Sequence, residues 1–242
     1  MTFTRSDTGN VLILWDVDHT LIETRGVGRA AFAAAFEQVT GQSLERMPHI
    51  TGRTEPDIYA AVVELHGIQE PPPFPAFADA LATAYIERQD QLRERGRVMP
   101  GAEQSLAHLG SCPDLRQSVL TGNTRRVARI KLEAFGLQGY LDLDSGAYGD
   151  DNGHRPSLVA IAQARASIRG VEFDRRNTVL IGDSQGDIGT AHLGGAYVIA
   201  VAAGGTPMAD LSAADVALAD LTDTYEVERS IQLVTSRARR GE

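Results

Sequence analysis

Apolar residues recur along the chain in two patterns. Residues 11–15, 179–181 and 198–201 are short, unbroken apolar runs, as expected of parallel strands covered on both faces rather than of a half-wet antiparallel sheet. Residues 118–120 read the same way, and 140–147 form a weaker strand candidate. Between these runs the spacing is helical. Val127, Ile130 and Ala134 share one face, as do Leu158, Ile161, Ala162 and Ile168. Alternating β and α units predict an α/β fold, an open doubly wound parallel sheet.

One connection is too long for a single crossover helix, which needs about a dozen residues. The stretch between Ile22 and Met99 carries its own helical faces: Phe32, Phe36 and Val39; Ile58, Ala61, Val62 and Leu65; Phe77, Leu81, Ala84 and Tyr85. This predicts three amphipathic helices inserted after the first strand. The expected division is an α/β core over 1–22 and 99–242 and a helical cap over 23–98. The prolines at 71, 72, 73 and 75 exclude a helix interior and predict a loop between two cap helices. At the other end, Arg237 to Arg240 reads as a frayed, solvated tail.

Composition narrows the function. The 242 residues are 43% apolar and 23% charged, with a net charge of −9, which argues against nucleic-acid or anionic-membrane partners. The single Cys112 allows no internal disulfide, and no Cys/His cluster has zinc spacing. The N-terminus lacks a signal-peptide layout, and the longest apolar stretch, 196–203, is far short of a membrane span. A cytoplasmic location is expected. Lys131 is the only lysine; every other cationic side chain of the Lys/Arg class is arginine.

The chemistry lies just after the strands. The first is followed by Asp16, Asp18, His19 and Thr20, the next by Thr121, Gly122 and Asn123, a later one by Asp183, Ser184 and Asp187. Ligands of open α/β sheets sit beyond the carboxyl ends of the strands. If these strands are neighbours, four carboxylates and a threonine converge on one volume, which needs a cation. An all-oxygen donor set selects a hard ion, magnesium first. Otherwise each Asp merely caps the helix or turn after its strand.

Asp16-x-Asp18-x-Thr20, Thr121-Gly122-Asn123, Arg155-Pro156 and Gly182-Asp183-x-x-x-Asp187 resemble, in order, the four motifs of the haloacid-dehalogenase-like hydrolases. The helical insert matches the position of that superfamily's small cap, and the chain looks most like its phosphoglycolate-phosphatase-like branch. The resemblance implies that Asp16 is a nucleophile forming an aspartyl phosphate and that Asp18 is the general acid and base, fixed by Thr20. It implies that Thr121, Gly122, Asn123 and Arg155 hold the phosphoryl group. Magnesium would be held by Asp16, the Asp18 carbonyl and Asp183, with Asp187 a direct or outer partner. The implied substrate is a small phosphate monoester, phosphoglycolate-like or a sugar phosphate; a β-phosphoglucomutase-like transfer is the alternative.

Related chemistries are disfavoured. Dehalogenases of this fold lack a carboxylate at the place of Asp18, and phosphonate-cleaving relatives need a cap lysine where 23–98 has none. A receiver-type signalling module needs a lysine after its last strand and has no such insert. The chain also departs from the family. Trp15 and His19 stand where Phe and Gly are usual, and Arg155 where lysine is commoner. Trp15 is expected in the core, His19 at the substrate's edge or as a bystander. In the cap, Arg53 either reaches a second anionic group of the substrate or is simply exposed, with Thr54 an N-cap and Pro56 in the first turn. His49 and His66 are expected at the surface. Lys131, ten residues beyond Thr121, is expected to be carried off along its helix into solvent.

Overall fold

The computed structural model describes residues 10–167 and 171–240. The chain begins with strands β1 (Val11–Trp15) and β2 (Ile22–Glu23). Helices α1 (Val27–Thr40), α2 (Glu55–Leu65), α3 (Phe74–Glu87) and α4 (Gln89–Arg95) follow, then β3 (Arg97–Val98). Next come α5 (Ala102–Gly110), β4 (Leu115–Val119), α6 (Arg125–Ala134) and α7 (Ser157–Ala166). The chain continues through β5 (Thr178–Gly182), α8 (Gln185–Gly194), β6 (Tyr197–Val201), β7 (Val216–Leu218) and α9 (Thr224–Arg240).

Five strands make one parallel sheet in the order β4-β1-β5-β6-β7. Alternate residues of each strand feed opposite faces. Ile13, Trp15, Val179 and Ile181 pack with Leu106 of α5 and Ile231 of α9. Leu12, Leu14, Leu180 and Val198 pack with Leu158 of α7 and Ile188 of α8. Helices on both faces explain why the runs are unbroken. The core indole of Trp15 donates to Gln117 Oε1 at 3.1 Å, which satisfies its one polar atom.

Residues 140–147 are not a strand. A 3₁₀ turn over Gln138–Tyr140 leads into a loop that meets the sheet through the Asp142 N–H, which donates to the Gln117 carbonyl at 2.8 Å, and through an isolated bridge, Leu120 to Ala147. The Asp142 carboxylate accepts the backbone N–H groups of Asp144 and Ser145, both at 3.2 Å, and this local turn displaces a strand ladder. The insert holds four helices rather than three. The fourth, α4, has Leu92 as its one buried residue, too sparse a stripe to register as a period. Helix α3 starts at Phe74 with Pro75 in its first turn, so the proline string is loop and helix start together. Helix α9 runs through Arg240, where a frayed tail was expected. Ile168 lies outside the described residues.

Two structural links tie the inserted helices to the sheet. The antiparallel ribbon of β2 and β3 pairs Ile22 with Val98 and Glu23 with Arg97. Phe32, Phe36, Phe77 and Leu81 form a second apolar core that also takes in Val127 and Ile130 of α6. Helix α6 therefore serves both units. No helix among the described residues is long and apolar enough to cross a membrane.

Candidate active site

Strand β1 lies between β4 and β5, so successive connections leave it toward opposite sides and a crevice opens at the strand ends. Asp16 follows β1, with its N–H bonded to the Ile181 carbonyl at 2.9 Å. Asp183 follows β5, and Asp187 lies in the first turn of α8. Asp16, Asp183 and Asp187 are buried, and each offers an oxygen within 4.8 Å of the others. Asp187 also completes a capping box. Its N–H donates to Ser184 Oγ at 3.1 Å, while its Oδ2 accepts the Ser184 N–H at 3.1 Å and hydroxyl at 2.6 Å.

Arg155, just before α7, reaches into this group. Its Nη2 donates to Asp16 Oδ1 at 2.8 Å and Asp187 Oδ1 at 2.6 Å. With all three carboxylates ionised, one guanidinium would leave two negative charges uncompensated. Burial first, and the neighbouring carboxylates second, push Asp183 up to about 7 and hold Asp16 well above the usual carboxylate range. A buried all-oxygen cluster with two excess charges fits a hard divalent cation. Arg155 Nε is buried with no partner among the described residues, a donor suited to an anionic ligand. A Cβ on Gly204 would fall on the Asp183 carboxylate, so that carboxylate has its place only beside a glycine.

Lys131 is where the structure corrects the sequence reading most. It is buried, not solvated, and its Nζ lies 2.8 and 2.7 Å from the two Asp18 carboxylate oxygens and 2.6 Å from Asn123 Oδ1. Helix α6 starts at Arg125, so Lys131 stands only about 9 Å along it, and helical side chains lean back toward the N-terminus. The signal was present in the sequence: Lys131 falls four residues after Val127 and three before Ala134, on the apolar face. Burial alone would raise the Asp18 pKa, but the charge and hydrogen bonds of Lys131, helped by Asn123, hold it below the usual carboxylate range. Thr20 is corrected too. Its hydroxyl donates to Asp183 Oδ1 at 3.4 Å rather than to Asp18.

The loop after β4 carries Thr121, Gly122 and Asn123 to the same place. Asn123 Nδ2 donates to Thr121 Oγ1 and to Asp18 Oδ2, both at 2.7 Å. The start of α2 is seated on this loop. Glu55 N–H donates to the Gly122 carbonyl at 2.7 Å, and Glu55 Oε2 accepts the Thr124 N–H at 2.7 Å. Burial pushes Glu55 up to about 7 against the opposing pull of Lys131. Gly52 meets Gly186 so closely that a Cβ on Gly52 would sit 2.7 Å from the Gly186 Cα. Sequence reading missed Glu55, which looks like any acid in a first helical turn.

The strand ends and the inserted helices enclose a cavity of about 510 Å³ lined by Asp16, Asp18, Thr121, Asn123, Lys131, Arg155 and Asp183. Phe32, Met47, Ile58, Arg29 and Arg53 line it from the side of the inserted segment. Arg53 donates to Asp57 Oδ2 at 2.6 Å and to the Asp57 and His49 carbonyls at 3.1 and 3.3 Å. It is thus held by Asp57 of the helix that follows it and by His49 of the loop before it. Thr54 occupies the N-cap position, but its hydroxyl donates to the Gly153 carbonyl at 3.0 Å instead of capping. His19 lines the mouth with φ +64°, the left-handed conformation that favours glycine there. His49 is exposed as expected. His66 is half-buried, with Nδ1 2.8 Å from the Val62 carbonyl and its ring against Phe36.

The family model of the haloacid dehalogenase-like hydrolases matches residues 13–192. The chain belongs to this family of hydrolases. No curated protein matches the sequence. Among solved structures, a hydrolase from Pseudomonas syringae superposes with a TM-score of 0.67 at 20% identity, covering 92% of this chain and 99% of that one. CbbY from Rhodobacter sphaeroides, solved with phosphate, gives 0.67 at 18% identity over 88% and 96%. A structure described as a predicted phosphoglycolate phosphatase from Haemophilus somnus gives 0.63 at 18% identity over 92% and 100%. At these identities the likeness is one of fold.

Proposed function

We propose that the protein is a magnesium-dependent phosphatase acting on a small phosphorylated metabolite, a phosphoglycolate-like or sugar phosphate monoester, through an aspartyl phosphate. The observation that carries this reading is the meeting of Asp16, Asp18, Thr121, Asn123, Arg155 and Asp183 around one cavity. In this reading residues 23–98 are a cap closing over the core of 1–22 and 99–242, in the cytoplasm.

Asp16 attacks phosphorus. The Asp16–phosphorus bond forms as the phosphorus–ester oxygen bond breaks, and the departing oxygen keeps the electron pair and takes a proton from Asp18. Lys131 favours the ionised form of Asp18 in the free protein. An arriving phosphoryl dianion acts in the opposite direction and favours a proton there. Once the alcohol has left, Asp18 is a carboxylate again and takes a proton from the water that cleaves the aspartyl phosphate. Thr121 Oγ1 and the Gly122 and Asn123 N–H groups receive the phosphoryl oxygens, and Arg155 orients Asp16.

Asp16, the Asp18 carbonyl and Asp183 would hold magnesium. Asp187, with Oδ1 on Arg155 and Oδ2 on Ser184, supports them from outside. The ion supplies positive charge that lets a carboxylate approach an anionic phosphate. The cap side of the cavity, with Arg29 and Arg53 beside Phe32 and Met47, chooses the rest of the substrate.

The test is phosphate release from p-nitrophenyl phosphate with magnesium, with EDTA, and by Asp16→Asn. Release is expected only from the wild type with magnesium, and activity surviving both perturbations would overturn the mechanism.

A further inference from the structure

We propose that Lys131 is a positioning residue for this reaction, aiming the Asp18 carboxyl group at the ester oxygen from a helix clamped beneath the cap. The inference rests on the phosphatase reading and adds a residue outside the four motifs. Three side chains form a closed set: Lys131 Nζ bonds both Asp18 oxygens and Asn123 Oδ1, while Asn123 Nδ2 bonds Asp18 Oδ2. With both oxygens engaged, the Asp18 carboxyl group has one orientation. Both side chains line the cavity, and the Lys131 side chain is 5% exposed against 33% for Asp18, so the lysine is the more deeply buried partner.

The cap touches this device at two points. The Tyr85 ring of α3 lies 5.2 Å from Lys131 Nζ, and Glu55 of α2 accepts the Thr124 N–H at the start of α6. A cap seated in this way holds α6, and through it Lys131, at a fixed distance from Asp18. The residue type fits the place. Three acceptor oxygens surround one nitrogen, which suits a compact ammonium and not a planar guanidinium. In a chain whose other long cationic side chains are all arginine, the one lysine stands here.

The test compares kcat/KM for phenyl phosphate and 2,4-dinitrophenyl phosphate in the wild type, Lys131→Met, Asp18→Asn and the double variant. This ratio covers the steps up to departure of the alcohol, and phenoxide needs a proton far more than dinitrophenoxide does. Loss of a well-placed acid is expected to cost about 100-fold on phenyl phosphate. Lys131→Met should lose at least tenfold more on phenyl than on dinitrophenyl phosphate, and adding it to Asp18→Asn should cost less than threefold further. Equal losses on the two esters, or a full further loss in the Asp18→Asn background, would overturn the inference. If Lys131→Met alone fails to fold in a thermal melt, the double variant against Asp18→Asn decides, since there the buried cation and its anion are removed together. A wild type inactive on both esters would mean that the phosphatase reading itself has failed.

Discussion

Arg155 Nη2 lies 2.6 Å from Asp187 Oδ1 at the floor of the site, and the two side chains are 7% and 0% exposed. A charge taken out of water there needs a partner, and Arg155 serves both Asp187 and Asp16. Arg155→Ala leaves Asp187 and Asp16 without their cation, and loss of one partner of a buried pair costs about 3–5 kcal/mol. Urea unfolding should show that loss, and phosphate release should fall by roughly 100-fold or more. Arg155→Lys keeps the charge and is expected to recover part of both.

Metal binding should expel protons. Burial and mutual repulsion push Asp183 up to about 7 and hold Asp16 well above the usual range, so the metal-free site carries protons near neutrality. A divalent cation requires the ionised oxygens, so its affinity should rise with pH from 6 to 8. Titration of magnesium into metal-free protein at pH 6.5, in buffers of different ionisation enthalpy, should give heats that differ by the protons released. Heats independent of the buffer would contradict the raised values.

Glu55 links the seating of α2 on the Gly122–Thr124 loop to pH. Its folded-state pKa, raised to about 7 from 4.5, lies above the unfolded one, so between these values the folded state binds more protons. The stability it confers is complete below about pH 4.5 and declines as pH rises toward 7, by up to about 3 kcal/mol. Glu55→Gln keeps an acceptor for the Thr124 N–H and removes the titration. The Tm of the variant minus that of the wild type should grow from pH 5 to pH 8. A difference that shrinks over this range would show that Glu55 is stabilised as the anion.

His19 stores backbone strain. At φ +64° a residue with a Cβ costs about 1 kcal/mol or more relative to glycine. His19→Gly should raise Tm by roughly 2–4 °C in a domain of this size. A lower Tm would mean that the imidazole makes a compensating contact at the mouth of the cavity.

The strands at 11–15, 179–181 and 198–201 were legible because a parallel sheet buried on both faces leaves unbroken apolar runs. The carboxylates after them were legible because motif spacing is local. The two strands of the separate antiparallel ribbon, β2 and β3, were not, since two residues carry no period. Nor was the turn at 140–147, where Asp142 competes with a strand for backbone N–H groups.

By itself, then, the sequence determined an open parallel sheet with a helical insert and placed Asp16, Asp18, Thr121 and Asp183 at strand ends, because strand and turn chemistry act over a few residues. Tertiary structure decided which charges meet. Arg155 is paired with Asp16 across 139 positions and Lys131 with Asp18 across 113. Those partners follow from how α6 and the loop before α7 lie against the sheet, and from the drive to pair every charge taken out of water.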